Sequence, residues 1–171
     1  MKRIVVFLIC AVLILCGCSK APTSNVSLPT NFATETVITV EDTVYNAILS
    51  RYADGYWKIE LLAPMAVKGL IFTVSGENTE VSFDGLRFTF DTARFPVGSV
   101  VTAAISYLDR LIASPIDVIK GEEQCLATGT INEEAYTLTL SKTNVPQKLE
   151  LADSGMTIEF TTFDIVEFVE Q

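Results

Sequence analysis

Beyond residue 33 apolar side chains recur at every second position through much of the chain. Trp57, Ile59 and Leu61 alternate with Lys58, Glu60 and Leu62, and Leu70, Phe72 and Val74 with Ile71, Thr73 and Ser75. Leu86, Phe88 and Phe90 alternate with Arg87, Thr89 and Asp91, Tyr136, Leu138 and Leu140 with Thr137, Thr139 and Ser141, and Met156, Ile158 and Phe160 with Thr157, Glu159 and Thr161. A period of two places one set on a buried face and the other toward solvent, which predicts antiparallel strands covered on one side. Turn chemistry falls between the runs at Asp54-Gly55, Ser75-Gly76-Glu77-Asn78, Asp84-Gly85, Asn132-Glu133-Glu134 and Asp153-Ser154-Gly155. Such pairs supply the positive-φ positions of tight hairpins, so a meander of about nine or ten strands is expected.

One stretch departs from this period. Between Pro96 and Pro115 the apolar residues are Val97, Val100, Val101, Ala104, Ile105, Leu108, Leu111 and Ile112. Their three-and-four spacing predicts an amphipathic helix, with Ser99 as its N-cap. The expected class is α+β: a curved antiparallel sheet, as in a half-open β-barrel, covered by one main helix.

The start of the chain follows other rules. Met1-Lys2-Arg3 precedes an unbroken apolar run from Ile4 to Leu15, the length of a signal-peptide core and short of the roughly 20 residues a spanning helix needs. The run ends in Leu15-Cys16-Gly17-Cys18-Ser19, which resembles the lipobox of bacterial lipoproteins. This implies a signal peptide over 1–17, cleavage before Cys18, and lipidation of Cys18 with acyl chains such as palmitate. The alternative is an ordinary cleaved signal whose cysteines are incidental. Residues 18–32, polar and broken by Pro22 and Pro29, read as a flexible tether, and 33–171 as a single domain. The expected location is the extracytoplasmic face of a cell membrane, or the outer membrane where one exists.

Charge narrows the partners. The net charge is −9 and becomes two units more negative once Lys2 and Arg3 are removed. That sign repels phosphate backbones and anionic headgroups, so no nucleic-acid partner is expected and membrane attachment falls to the lipid on Cys18. With Cys10 and Cys16 in the signal and Cys18 acylated, Cys125 is left as a lone thiol, read as buried and inert.

The sequence has no histidine, which removes Ser-His-Asp, Cys-His and His-based metal chemistry. Glu60, Glu80, Asp84, Asp91, Glu150 and Glu159 could in principle pair as acid and base, yet they sit in turns or in the polar phase of strands. No catalytic residue, metal site or cofactor is expected, and the protein is read as a non-enzyme. What stands out is apolar content: 49% of residues, with ten phenylalanines. A single sheet and helix must either pack that mass into a closed core or enclose a cavity that a lipid fills.

Three segments resemble the LolA/LolB superfamily of lipoprotein carriers. Gly55-Tyr56-Trp57-Lys58-Ile59-Glu60-Leu61-Leu62-Ala63-Pro64 is similar to its strand entering a Pro-containing loop, and Gly69-Leu70-Ile71-Phe72-Thr73-Val74 to the returning strand. Val145-Pro146-Gln147-Lys148-Leu149-Glu150-Leu151, with Gly155 and Thr157-Ile158-Glu159-Phe160-Thr161-Thr162-Phe163, resembles its closing hairpin. The resemblance implies a half-open barrel whose apolar cavity receives acyl chains. Cavity candidates are Trp57, Ile59, Leu61, Phe72, Phe83, Phe88, Phe90, Leu108, Leu138 and Phe160. Met65 and Val67, in the loop Pro64-Met65-Ala66-Val67-Lys68, fall where the family's membrane-anchored branch exposes an apolar side chain toward membrane or cargo; packing beneath the helix is the alternative for them. The implied function is a membrane-anchored lipoprotein holding an acyl chain or lipidated protein. A scaffold binding an envelope protein partner, such as a cell-wall enzyme, is the alternative.

Overall fold

The structure, a computed structural model, describes residues 23–52, 55–94 and 99–166. The signal peptide, Cys18 and the first part of the tether lie outside the described residues. No helix among the described residues is long and apolar enough to cross a membrane.

The strands are β1 (Thr23–Val26), β2 (Phe32–Val40), β3 (Thr43–Tyr52), β4 (Tyr56–Ala63), β5 (Ile71–Ser75), β6 (Asn78–Phe83) and β7 (Leu86–Asp91). After helix α1 (Val100–Ile112) come β8 (Ile116–Lys120), β9 (Cys125–Ile131), β10 (Glu134–Leu140), β11 (Pro146–Leu151), β12 (Thr157–Phe160) and β13 (Asp164–Ile165). They form one antiparallel sheet in the order β1-β8-β9-β10-β11-β12-β2-β3-β4-β5-β6-β7, with β13 beside β2. The sheet is open, ending at β1 and β7.

The strand count exceeds the nine or ten expected, and two of the added strands are short ones whose partners are remote. β1 falls in the segment read as tether: Thr23 to Val26 pair with Ile119 to Ile116 of β8. Val26 and Leu28 are buried, and the Thr30 carbonyl accepts from Arg51 at 2.6 Å. From Thr23 onward the supposed tether is therefore part of the folded domain. Its own composition cannot show this, because the stabilising partners come from residues some 90 positions away.

The turns behave as their residues dictate. Asp84 and Gly85 both have positive φ (48° and 81°), making the two-residue β6–β7 connection, and Asn132 and Glu133 (52° and 70°) do the same between β9 and β10. Ser99 caps α1, its Oγ accepting from the Thr102 N–H at 3.2 Å.

The cross-strand register puts one continuous set of side chains on the inner face. It runs from Ala127 and Leu138 through Leu149, Ile158 and Ile38 to Leu49, Ile59 and Phe72. Val101, Ala104, Leu108 and Leu111 of α1 are buried in the same cluster. On β2 the buried phase includes Thr34 and Thr36, whose hydroxyls donate to the carbonyls of Thr162 and Ala47 and so enter the core with partners.

Candidate functional site

A helix of 13 residues is about 20 Å long, while twelve strands at about 4.8 Å spacing make a sheet more than twice as wide. One helix therefore cannot roof the whole inner face. The sheet beneath α1 is packed, and the sheet beyond it is not.

Beside the second half of the helix the described residues leave little space. Leu28, Phe32, Leu108, Leu111, Leu138, Phe160 and Phe163 close on a space of about 10 Å³, less than a ligand needs. Phe163 stacks on Phe32 at 4.8 Å between ring centres, and Phe32 meets Trp57 edge to face at 5.8 Å. Trp57, Ile59, Leu61, Phe72, Leu108 and Leu138 are all buried, and Phe160 is half-buried against the same cluster. These residues of the expected set lie within the packed core cluster.

Two polar ties hold α1 in place. Asp109 receives the indole N–H of Trp57, 3.1 Å from each carboxylate oxygen, and the Arg51 Nε at 2.9 Å. Nearer the start of the helix, Tyr107 donates its hydroxyl to Glu134, which also accepts the main-chain N–H groups of Asp153 (3.0 Å) and Ser154 (2.5 Å). Burial pushes the Glu134 carboxyl up, but the hydrogen bonds from Tyr107, Ser154 and Asp153 outweigh it and hold the group below the usual carboxylate range. The same bond to Glu134, followed by burial, raises Tyr107 above its ordinary value. Sequence pattern gave no sign of this tie: Glu134 reads as a turn residue, and its partners lie in α1 and in the β11–β12 turn.

Phe83, Phe88 and Phe90 belong to the expected inner face but not to a cavity. Their cross-strand rows are Phe72–Val81–Phe88, Val74–Thr79–Phe90 and Phe83–Leu86, the first two in line with Ile59 and Trp57. Yet Phe83, Leu86, Phe88 and Phe90 are 45–59% exposed. Taking roughly 200 Å² per large side chain, about half exposed, the four leave an apolar shelf on the order of 400 Å², in the range where a patch on a monomer often has a role.

A groove joins this shelf to the helix. It has a volume of about 390 Å³ and is lined by Val74, Thr92, Thr102, Ala103, Ile105, Ser106, Tyr107 and Asn132. Val74 belongs to the same row as Phe90, so groove and shelf share a border. At the other end the β4–β5 loop comes alongside: a Cβ on Gly69 would lie 3.8 Å from the Phe83 ring. In that loop Met65 is 82% exposed, whereas Val67 is half-buried against the core. The two predicted loop residues thus separate, with Met65 exposed and Val67 packed.

Glu60, Glu80, Glu150 and Glu159 share the outer face, and Asp84 occupies a turn. Among the described residues no group of His, Cys, Asp and Glu could hold a metal ion. Cys125 is free and buried.

No protein-family model matches the chain, and no curated protein matches it. Solved structures do. An uncharacterised conserved protein from Thermus thermophilus matches with a TM-score of 0.51 at 11% identity, over 83% of this chain and 82% of that one, and shares its fold. A LolA superfamily protein from Nitrosomonas europaea matches with a TM-score of 0.43 at 10% identity, over 84% of this chain and 90% of that one. A chain in the structure of the CwlD amidase from Clostridioides difficile in complex with the GerS lipoprotein matches with a TM-score of 0.42 at 14% identity, covering 96% and 94%.

Proposed function

We propose that the chain is a non-enzymatic envelope lipoprotein, held at a bacterial membrane through Cys18, that lays an apolar chain along the β5–β7 end of its inner face. The observation that carries this reading is the continuity of that face: one apolar surface is core beneath α1 and open shelf beyond it. Binding there buries four half-exposed large side chains, and burial of apolar area contributes about 25 cal/mol per Å². The adjoining groove, about 390 Å³, falls within the range of small-ligand sites. The ligand is an acyl chain, free or carried by a lipidated protein, lying on the sheet rather than enclosed by it. The absence of histidine and the outward placement of the acidic strand residues support a role without catalysis.

The test is lipid extraction and mass spectrometry on the chain purified from membranes, together with titration of a fluorescent fatty acid. Phe88→Ser combined with Phe90→Ser should lower affinity for the fatty acid about tenfold or more in a chain that still unfolds cooperatively, at a lower midpoint because each ring is half-buried. Equal binding by the double variant, with no lipid recovered beyond that attached to Cys18, sinks the reading. The attachment itself is checked by labelled palmitate, whose incorporation should vanish in Cys18→Ser.

A protein partner is the second reading, favoured by the size and partial exposure of the shelf. A stoichiometric envelope protein recovered with the wild type, lost in the same Phe88/Phe90 variant and unaccompanied by lipid, supports it.

A further inference from the structure

Among the described residues β7 pairs only with β6, and all six of its residues are exposed. In a two-residue hairpin the residues flanking the turn exchange both main-chain hydrogen bonds, so Leu86, Phe88 and Phe90 point their N–H and C=O groups toward β6. The next bond in this series is present: the Thr92 N–H donates to the Glu77 carbonyl at 2.7 Å. The main-chain groups of Arg87, Thr89 and Asp91 therefore face the open edge. A long unprotected edge bearing apolar side chains is the kind that recruits another strand.

We infer that this edge takes a second copy of the same chain, β7 pairing antiparallel with its twin about a two-fold axis through Thr89. The sequence Arg87-Phe88-Thr89-Phe90-Asp91 is complementary to itself in that register. Thr89 faces Thr89 of the copy, Arg87 faces Asp91 twice on the outer face, and Phe88 faces Phe90 twice on the inner face. Three residues with outward main-chain groups then form three mutually bonded pairs, six hydrogen bonds in all. Moving the axis to Phe88 keeps the faces aligned but sets Arg87 against Thr89, losing both the charge match and one pair. An axis between residues sets inner-face side chains against outer-face ones.

The present partners of the two charges do not oppose this. Arg87 reaches Glu80 at 3.9 Å and Asp91 reaches Arg94 at 3.8 Å, both long and exposed, and the Asp91 Oδ1 that accepts the Ala93 N–H at 2.9 Å leaves its second oxygen for a new partner. Pairing the two edges sets the shelves side by side and covers only the strand edges and the flanks of Phe88 and Phe90, less than the roughly 1,200 Å² at which standard interfaces begin. The dimer is therefore weak in dilute solution and is favoured where copies are concentrated on one surface. This inference rests on the edge and its register, and does not depend on what the shelf binds.

The experiment uses the full chain in cell membranes, oxidised and separated without reductant. Hydrogen-bonded partners lie about 5.5 Å apart between Cα atoms, within disulfide range. Thr89→Cys should give a linked pair of twice the chain's mass. Arg87→Cys alone should not, since its twin lies four residues along the edge, whereas Arg87→Cys with Asp91→Cys should link again, and this pair stands in if Thr89→Cys accumulates poorly. In the Thr89→Cys background Arg87→Asp and Asp91→Arg should each lower the linked fraction about tenfold, and the two together should restore it. A chain that stays unlinked like the wild type, linking by Arg87→Cys alone, indifference to charge reversal, or a product containing a foreign protein overturns the inference.

Discussion

Replacing Asp109 isolates the contribution of the tie between α1 and the sheet. Trp57 is fully buried, and its indole N–H has the Asp109 carboxylate as its acceptor, so Asp109→Ala leaves that donor in the core without a partner, at a cost of about 1–3 kcal/mol. The same change removes the ion pair with Arg51. Arg51 keeps the Thr30 carbonyl, and the Asp109 side chain is 38% exposed, so this part adds only about 1 kcal/mol. Asp109→Asn retains an oxygen for the indole and should lose about 1 kcal/mol, the ionic part alone. The expected order is wild type, then Asn, then Ala, with the last two separated by more than about 1 kcal/mol. Urea unfolding followed by tryptophan fluorescence measures this directly, because Trp57 is the chain's single tryptophan. If the Asn and Ala variants unfold within about 0.5 kcal/mol of each other, the indole bond does not carry the tie and the reasoning fails.

Four further outcomes follow from other parts of the structure. The folded protein holds the Glu134 carboxyl below its usual range, so its stabilising contribution is present above the unfolded carboxylate value and lost as pH falls through the folded one; Glu134→Gln should flatten this acid limb of a stability–pH curve. Tyr107, held above the ordinary value of 10.0, contributes below that pH and loses its contribution as pH rises through its folded value, so Tyr107→Phe should remove an alkaline decline. Cys125, buried in β9, should react with a thiol reagent no faster than the protein unfolds; rapid labelling of the folded chain argues against its placement. Gly129 lies opposite Tyr136, and a Cβ there would come within 2.9 Å of the tyrosine ring, so Gly129→Ala should lower stability by about 1–2 kcal/mol in denaturant titration, whereas an unchanged midpoint shows that the ring yields freely.

Period-two alternation and turn chemistry are local properties, and they were sufficient for the central strands, for the helix with its Ser99 cap, and for the choice of inner face. Trp57, Ile59, Phe72, Phe83, Phe88 and Phe90 were correctly assigned to one side of the sheet, because a pleated strand leaves a side chain only two directions. Two short strands escaped notice for the converse reason. β1 has only one buried residue, and its partner strand lies on the far side of α1 in the chain. The Glu134 and Asp109 ties escaped too, since each joins elements that sequence alone does not bring together.

What the sequence by itself determined is therefore the alternation of faces, the positions of the turns and the extent of the helix, all set by steric and solvation preferences over a few residues. Only the tertiary structure decided which part of the apolar face becomes core and which remains open. That choice depends on where a helix of about 20 Å comes to rest on a much wider sheet, and on how far the sheet curls beneath it. Phe72 and Phe88 face each other across Val81 in one row of side chains and carry the same local signal. One is buried and the other is exposed, a difference that their shared register does not set.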